Sequence, residues 1–189
     1  MWVIVGDSFS DPKHSGYARF GVRAWPELVA KRLGIEVRNF ASSGDGYAHR
    51  RRTTFPEQAA AAQAAAADGS CDRRAVTRVI VYGGINDYAS GEPHELVQAA
   101  AAQTARSLAV AFPNARIEGF MNWYPHELDD AARACIGAIA VGLGTSGVPL
   151  RTDSMWILEN DGVRDAYLPD NLHPNQHGHD LMAAFFAQS

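Results

Sequence analysis

Two rhythms of apolar and polar positions alternate along this chain of 189 residues. Short β-like runs recur at residues 2–5, 35–40, 76–82, 115–121 and 148–151. The run at 76–82 is nearly all apolar, which predicts a strand covered on both faces. Between these runs lie longer segments with apolar residues at helical spacing. One covers 25–33 and stops at Gly34, a natural helix C-cap. Another opens at Pro56 and is alanine-rich to about Ala67, alanine being the best helix former. A third starts near Pro93, a good first-turn residue, and reaches Phe112. Further helices are expected over 128–143 and from about Asn175 to Phe186. Strands alternating with helices of this length imply a parallel sheet with both faces covered. Right-handed crossovers then narrow the topology to a doubly wound layered fold, expected as one domain over residues 1–189.

Composition adds exclusions. Hydrophobic residues make up 47% and charged residues 20%, enough to bury a core without disulfides or a structural metal. The net charge of −4 argues against bulk attraction to nucleic acid or an anionic membrane. No apolar run approaches the length of a membrane span. Cys71 and Cys135 form no ligand-spaced cluster and read as two independent thiols. Residues 1–5 are too short for the apolar region of a signal peptide, so the default setting is cytoplasmic. A chain trimmed of its leader would look the same. Arg50, Arg51 and Arg52, following His49, form the one basic cluster. They read as a solvated loop face, with an anionic-substrate patch as the sharper alternative.

The unusual residues fall in four loops. Gly6-Asp7-Ser8-Phe9-Ser10 follows the first strand, and Ser42-Ser43-Gly44-Asp45-Gly46 follows the second. Gly83-Gly84-Ile85-Asn86-Asp87 follows the third, and Asp170-Asn171-Leu172-His173-Pro174 precedes the last helix. In a parallel sheet the first three emerge at one edge, and the fourth can return to it. Ser8 suits a nucleophile at a strand-to-helix turn. A hydroxyl is weak at neutral pH and needs a base, for which His173 is suited. Asp170, three residues earlier, can hold that imidazole in one tautomer. The main-chain N–H groups of Ser8 and Gly44 and the amide of Asn86 are candidate donors to an oxyanion. Asp7 and Asp87 read as loop braces. Asn122-Trp123-Tyr124-Pro125 should reach the same edge, where Trp123 and Tyr124 could line a substrate pocket or simply pack the loop. Trp156 and Tyr167 carry the same two readings.

These four blocks in this order resemble the signatures of the SGNH, or GDSL-like, hydrolases. They are Gly6-Asp7-Ser8, Gly44, Gly84-Ile85-Asn86-Asp87 and Asp170-Asn171-Leu172-His173-Pro174. Ser43-Gly44-Asp45 is similar to the second block of the bacterial acyl-esterase branch, which favours Gly44 over Gly46. The matching blocks span residues 6 to 179. The resemblance implies a three-layer α/β/α sandwich with a flavodoxin-like, five-stranded parallel sheet. It also implies hydrolysis of esters or thioesters without a metal or cofactor. Phe9-Ser10 departs from the leucine or isoleucine common after the nucleophile.

Within that class, the scarcity of long inserts favours a short acyl group, such as an O-acetyl on a sugar. A thioesterase or lysophospholipase remains open. A non-catalytic glycan-binding module on the same fold competes, although it gives the Ser, Gly, Asn, His and Asp set no reason to coexist. A nucleotide binder is disfavoured because no G-x-x-x-x-G-K-[ST] motif is present. The spacing of His173, His177 and His179 does not fit one helical face, so a metal is not expected. His14, His49, His94 and His126 are expected at the surface. The sequence assigns no oligomeric state.

Overall fold

In a computed structural model of the protein, residues 1–123, 128–155 and 165–188 are described. The elements run β1 (Trp2–Gly6), α1 (Ser15–Phe20), α2 (Trp25–Leu33), β2 (Val37–Asn39), α3 (Phe55–Ala67), β3 (Arg78–Tyr82), α4 (Ile85–Ala89), α5 (His94–Ala111), β4 (Arg116–Phe120), α6 (Asp130–Gly144), β5 (Leu150–Arg151) and α7 (Gln176–Gln188). The five strands form one parallel sheet in the order β2-β1-β3-β4-β5. Trp2 sits opposite Val37 on one side and Arg78 on the other. The chain therefore leaves β1 in one direction and crosses back over it to β3. A crevice opens where the order reverses, at the carboxyl ends of β1 and β3.

Helices cover the sheet in two groups: α3, α5 and α6 pack together, and α2 packs on α7. Val3, Ile4 and Val5 of β1 and all of β3 are buried, as strands between two helical layers must be. On the second face Trp25 stacks on Phe186, ring centroids 4.2 Å apart, joining α2 to α7. Local signals set the helix ends. Gly34 takes φ 63° at the end of α2, and Thr54 with Glu57 forms a capping box on α3. Asp129 accepts a hydrogen bond from Ala132 N at 2.7 Å and fixes the start of α6. Cys71 and Cys135 are free and buried. Among the described residues no helix is long and apolar enough to cross a membrane.

Two short helices depart from the sequence expectation. No side chain caps the start of the six-residue α1, and Tyr17, the buried residue of that helix, anchors it. The third loop, expected to be irregular, closes into the five-residue α4, so Asn86 and Asp87 sit in its turns. Pairing of β2 is confined to three residues, shorter than the run at 35–40, because the chain then turns toward the crevice.

Where α5 meets α6 the backbones touch. A Cβ added to Gly142 would lie 2.3 Å from Gln98 O and 2.7 Å from Ala101 Cβ. Gly142→Val must push these helices apart, a cost of about 2 kcal/mol with a fall in Tm of roughly 4–8 °C. A calorimetric scan reads this directly, and an unchanged Tm contradicts the close packing.

Candidate active site

The site begins with the way β1 ends. Gly6 is pinned by a buried amide: its N–H donates to Gln58 Oε1 at 2.9 Å, and Gln58 Nε2 donates to its carbonyl at 3.0 Å. Ser10 N and Asp11 N then donate back to Asp7 O at 3.0 and 3.1 Å. The chain thus makes one helical turn immediately after the strand, and Ser8 rides on it. A helix starting just past Ser8 was expected; this turn stands there, and α1 waits until Ser15.

The last loop comes to meet it. Leu168 N donates to His173 O at 2.7 Å and Asn175 N to Ala166 O at 2.8 Å, folding residues 166–175 back on themselves. Asn171 takes φ 55° at the tip, a conformation asparagine tolerates better than most residues. Asp170 Oδ1 accepts from the N–H groups of Leu172 (3.0 Å) and His173 (2.9 Å). Its Oδ2 lies 2.8 Å from His173 Nδ1, and His173 Nε2 lies 2.9 Å from Ser8 Oγ. With Nδ1–H donating to Asp170, the Nε2 lone pair faces the Ser8 hydroxyl. Burial works against the charge on Asp170, but the Leu172 and His173 N–H groups and the imidazole outweigh it. Its carboxyl is held below the ordinary range.

Gly44 and Asn86 complete the constellation. Gly44 has φ 83°, in the left-handed region that favours glycine, and among the described residues no acceptor takes its N–H or that of Ser8. Asn86 Nδ2 gives one hydrogen to Asp45 O at 2.8 Å, which leaves its other hydrogen free to donate. The loops after the first three strands thus carry three N–H groups able to donate, the kind of donor that stabilises negative charge on the oxygen of a tetrahedral intermediate.

Buried carboxylates brace the loops that hold these groups. Asp87 accepts from the N–H groups of Tyr47, Ala48 and His49 at 2.7–2.9 Å, linking the third loop to the second. Asp45 accepts from those of Arg51, Arg52 and Thr53. Asp7 takes the Phe9 N–H (3.0 Å) and the Asn122 amide (3.3 Å) on Oδ1. Asn122 in turn accepts from Ile85 N at 3.1 Å, so the first, third and fourth strand ends share one buried junction.

Among the aromatic candidates, Trp123 is fully buried and touches the site through Phe9, whose ring lies 5.9 Å from it and 5.7 Å from His173. Tyr167 packs behind Trp123 at 5.3 Å. Tyr124 and Trp156 lie outside the described residues, as does His126. His14, expected at the surface, is half-buried and stacked on His173 with ring centroids 4.1 Å apart. Burial and the neighbouring His173 lower its pKa, so a neutral ring backs the imidazole. A lone histidine in a polar loop gave no sign of this; the contact exists only once residues 14 and 173 meet. His179 is likewise buried, its pKa lowered to about 3, and its Nδ1 accepts from Trp25 N at 3.2 Å. An open depression of about 800 Å³ runs beside Asp170, lined by His14, Arg19, Phe20, Leu168 and Pro169.

The GDSL-like Lipase/Acylhydrolase family model matches residues 4–181. The chain belongs to that family. Solved structures agree in fold. The crystal structure of TesA is 20% identical with a TM-score of 0.70, the match covering 97% of this chain and 93% of that one. The psychrotrophic esterase EstA from a Pseudoalteromonas species, solved with monoethylphosphonate as inhibitor, is 17% identical with a TM-score of 0.68, covering 100% and 94%. A lipase/acylhydrolase from Enterococcus faecalis is 11% identical with a TM-score of 0.67, covering 99% and 93%. A comparison with curated protein sequences finds no significant match. At these identities the neighbours establish the α/β/α arrangement of this GDSL-like hydrolase, and the chemistry must be argued from its own residues.

Asp7 supplies a pH-dependent test of the junction. Burial raises its pKa to about 7, and its Oδ2 has no partner among the described residues. In the unfolded chain the proton leaves near pH 4, so between pH 4 and 7 the native state holds the extra proton. Its stabilising contribution is present below pH 4 and is lost as pH rises through 7. Asp7→Asn removes this dependence. The stability of the wild type relative to that variant, from urea midpoints, should fall by roughly 2–4 kcal/mol between pH 4 and pH 8. A difference that stays flat contradicts the buried, protonated carboxyl.

Proposed function

We propose that this protein is a serine esterase that hydrolyses small acyl esters, with Ser8 as nucleophile, His173 as base and Asp170 as its orienting partner. The continuous line from Asp170 Oδ2 through His173 to Ser8 Oγ, at 2.8 and 2.9 Å, carries the proposal. The free N–H groups of Ser8 and Gly44 support it from the other side.

The reaction follows from these positions. As Ser8 Oγ bonds to the ester carbonyl, its proton passes to His173 Nε2. The carbonyl oxygen becomes an oxyanion that accepts from Ser8 N, Gly44 N and Asn86 Nδ2. Collapse breaks the bond to the leaving alcohol, which takes the proton back from His173. Water then repeats the sequence on the acyl-Ser8 ester and releases the acid. Asp170 keeps Nδ1 protonated throughout and stabilises the imidazolium. His14, stacked on the base, screens one face of that ring from water.

The chain has few long inserts from which a lid or a deep acyl tunnel could be built, which favours a short acyl group or an O-acetyl on a sugar over a long chain.

Turnover of 4-nitrophenyl esters from acetate to octanoate tests the reading. The intact protein should favour the short end of the series. Ser8→Ala should lose about 10⁴-fold or more in kcat, and Asp170→Asn a similar factor. Asn86→Ala should lose about 10²–10³-fold, chiefly in kcat. An inert parent protein would point to a binding module instead, and a Ser8→Ala variant that keeps its rate would overturn Ser8 as the nucleophile.

A further inference from the structure

The fold gives two of the three consecutive arginines different surroundings. Arg50 pairs with Glu57, the capping residue of α3. Arg51 has no carboxylate within ion-pair distance among the described residues. Asp11, which braces the second loop, is already occupied by Ser43 N, Ser43 Oγ and Lys13 N.

Arg51 is nonetheless held in place. Its N–H donates to Asp45 Oδ1 at 3.0 Å, and the same carboxylate fixes the next two residues. Its stem lies across the face of Gly44: a Cβ added there would be 2.4 Å from Arg51 Cδ and 3.3 Å from Nη1. The guanidinium therefore sits beside a residue with a free N–H at the site. Its positive charge also reaches His14, the ring stacked on His173. A cation with its backbone clamped, its stem packed and no carboxylate paired with it among the described residues is suited to a substrate anion.

We propose that Arg51 forms an anion subsite, and that the preferred substrate is an ester bearing a carboxylate or phosphate a few bonds from its scissile carbonyl. The inference rests on the esterase reading of Ser8 and narrows it. A guanidinium meets a carboxylate or phosphate through two parallel N–H donors, a geometry lysine cannot reproduce. The uncharged part of the ester would lie toward the depression lined by Phe20, Leu168 and Pro169.

The anion could belong to the acyl group or to the alcohol, and two substrate pairs separate these sources. The acyl pair is 4-nitrophenyl monosuccinate against its neutral methyl ester. The alcohol pair is 3-carboxy-4-nitrophenyl acetate against 4-nitrophenyl acetate. Each rate is divided by the rate of the same ester with hydroxide. At low salt the anionic member of one pair should be preferred in kcat/KM by about 10- to 100-fold. The preference should shrink as salt is added. Arg51→Gln should abolish the preference, and Arg51→Lys should keep part of it. Equal turnover within both pairs overturns the subsite, as does a preference that survives Arg51→Gln. Should the intact protein cleave none of the four esters, the esterase reading falls first and this inference with it.

Discussion

A single hydrogen bond joins residues that lie 165 positions apart in the chain, from Ser8 Oγ to His173 Nε2 at 2.9 Å. Its existence depends on the sheet order. Because β2 and β3 flank β1, the loops after all three strands open onto the same crevice. The pre-α7 loop then needs only to fold back over that edge, which the Leu168–His173 and Ala166–Asn175 backbone bonds make it do. Covering the sheet with α2 and α7 on one side and α3, α5 and α6 on the other supplies the stability that holds the crevice in shape.

Buried acids brace the same loops. Asp7, Asp45 and Asp87 each satisfy main-chain N–H groups that irregular backbone cannot pair for itself. They solve the electrostatic problem differently. Burial opposes the charge on Asp45, yet the Arg52 and Thr53 donors prevail and its pKa is lowered. For Asp7 and Asp87 burial prevails and the pKa is raised. These carboxyls hold the loops that carry Ser8, Gly44 and Asn86.

Much of this was legible in the sequence, for physical reasons. The strand and helix periods exposed every element of the sheet and its two covers, since doubly buried strands and amphipathic helices leave distinct patterns. Gly34 and Pro56 marked ends because their backbone preferences are local. The pairs Asp170 with His173 and Asn86 with Asp87 stood out because each lies within a few residues of its partner. What stayed hidden was non-local. Tyr17, which anchors α1, packs edge-on against His179 near the other end of the chain, and nothing near it in sequence announces that contact. Trp123 reads equally well as pocket lining or packing until its burial behind Phe9 is seen. Arg51 lies against Gly44, seven positions earlier, whereas Arg50 pairs with Glu57.

The most direct test asks whether the distant hydroxyl is activated by this imidazole. A fluorophosphonate probe reacts with a serine made nucleophilic by an adjacent base, and peptide mass spectrometry locates the adduct. The account predicts an adduct on Ser8 alone, forming at neutral pH and suppressed in a folded His173→Ala variant. Labelling at another serine, or equally fast labelling of Ser8 without His173, would contradict it.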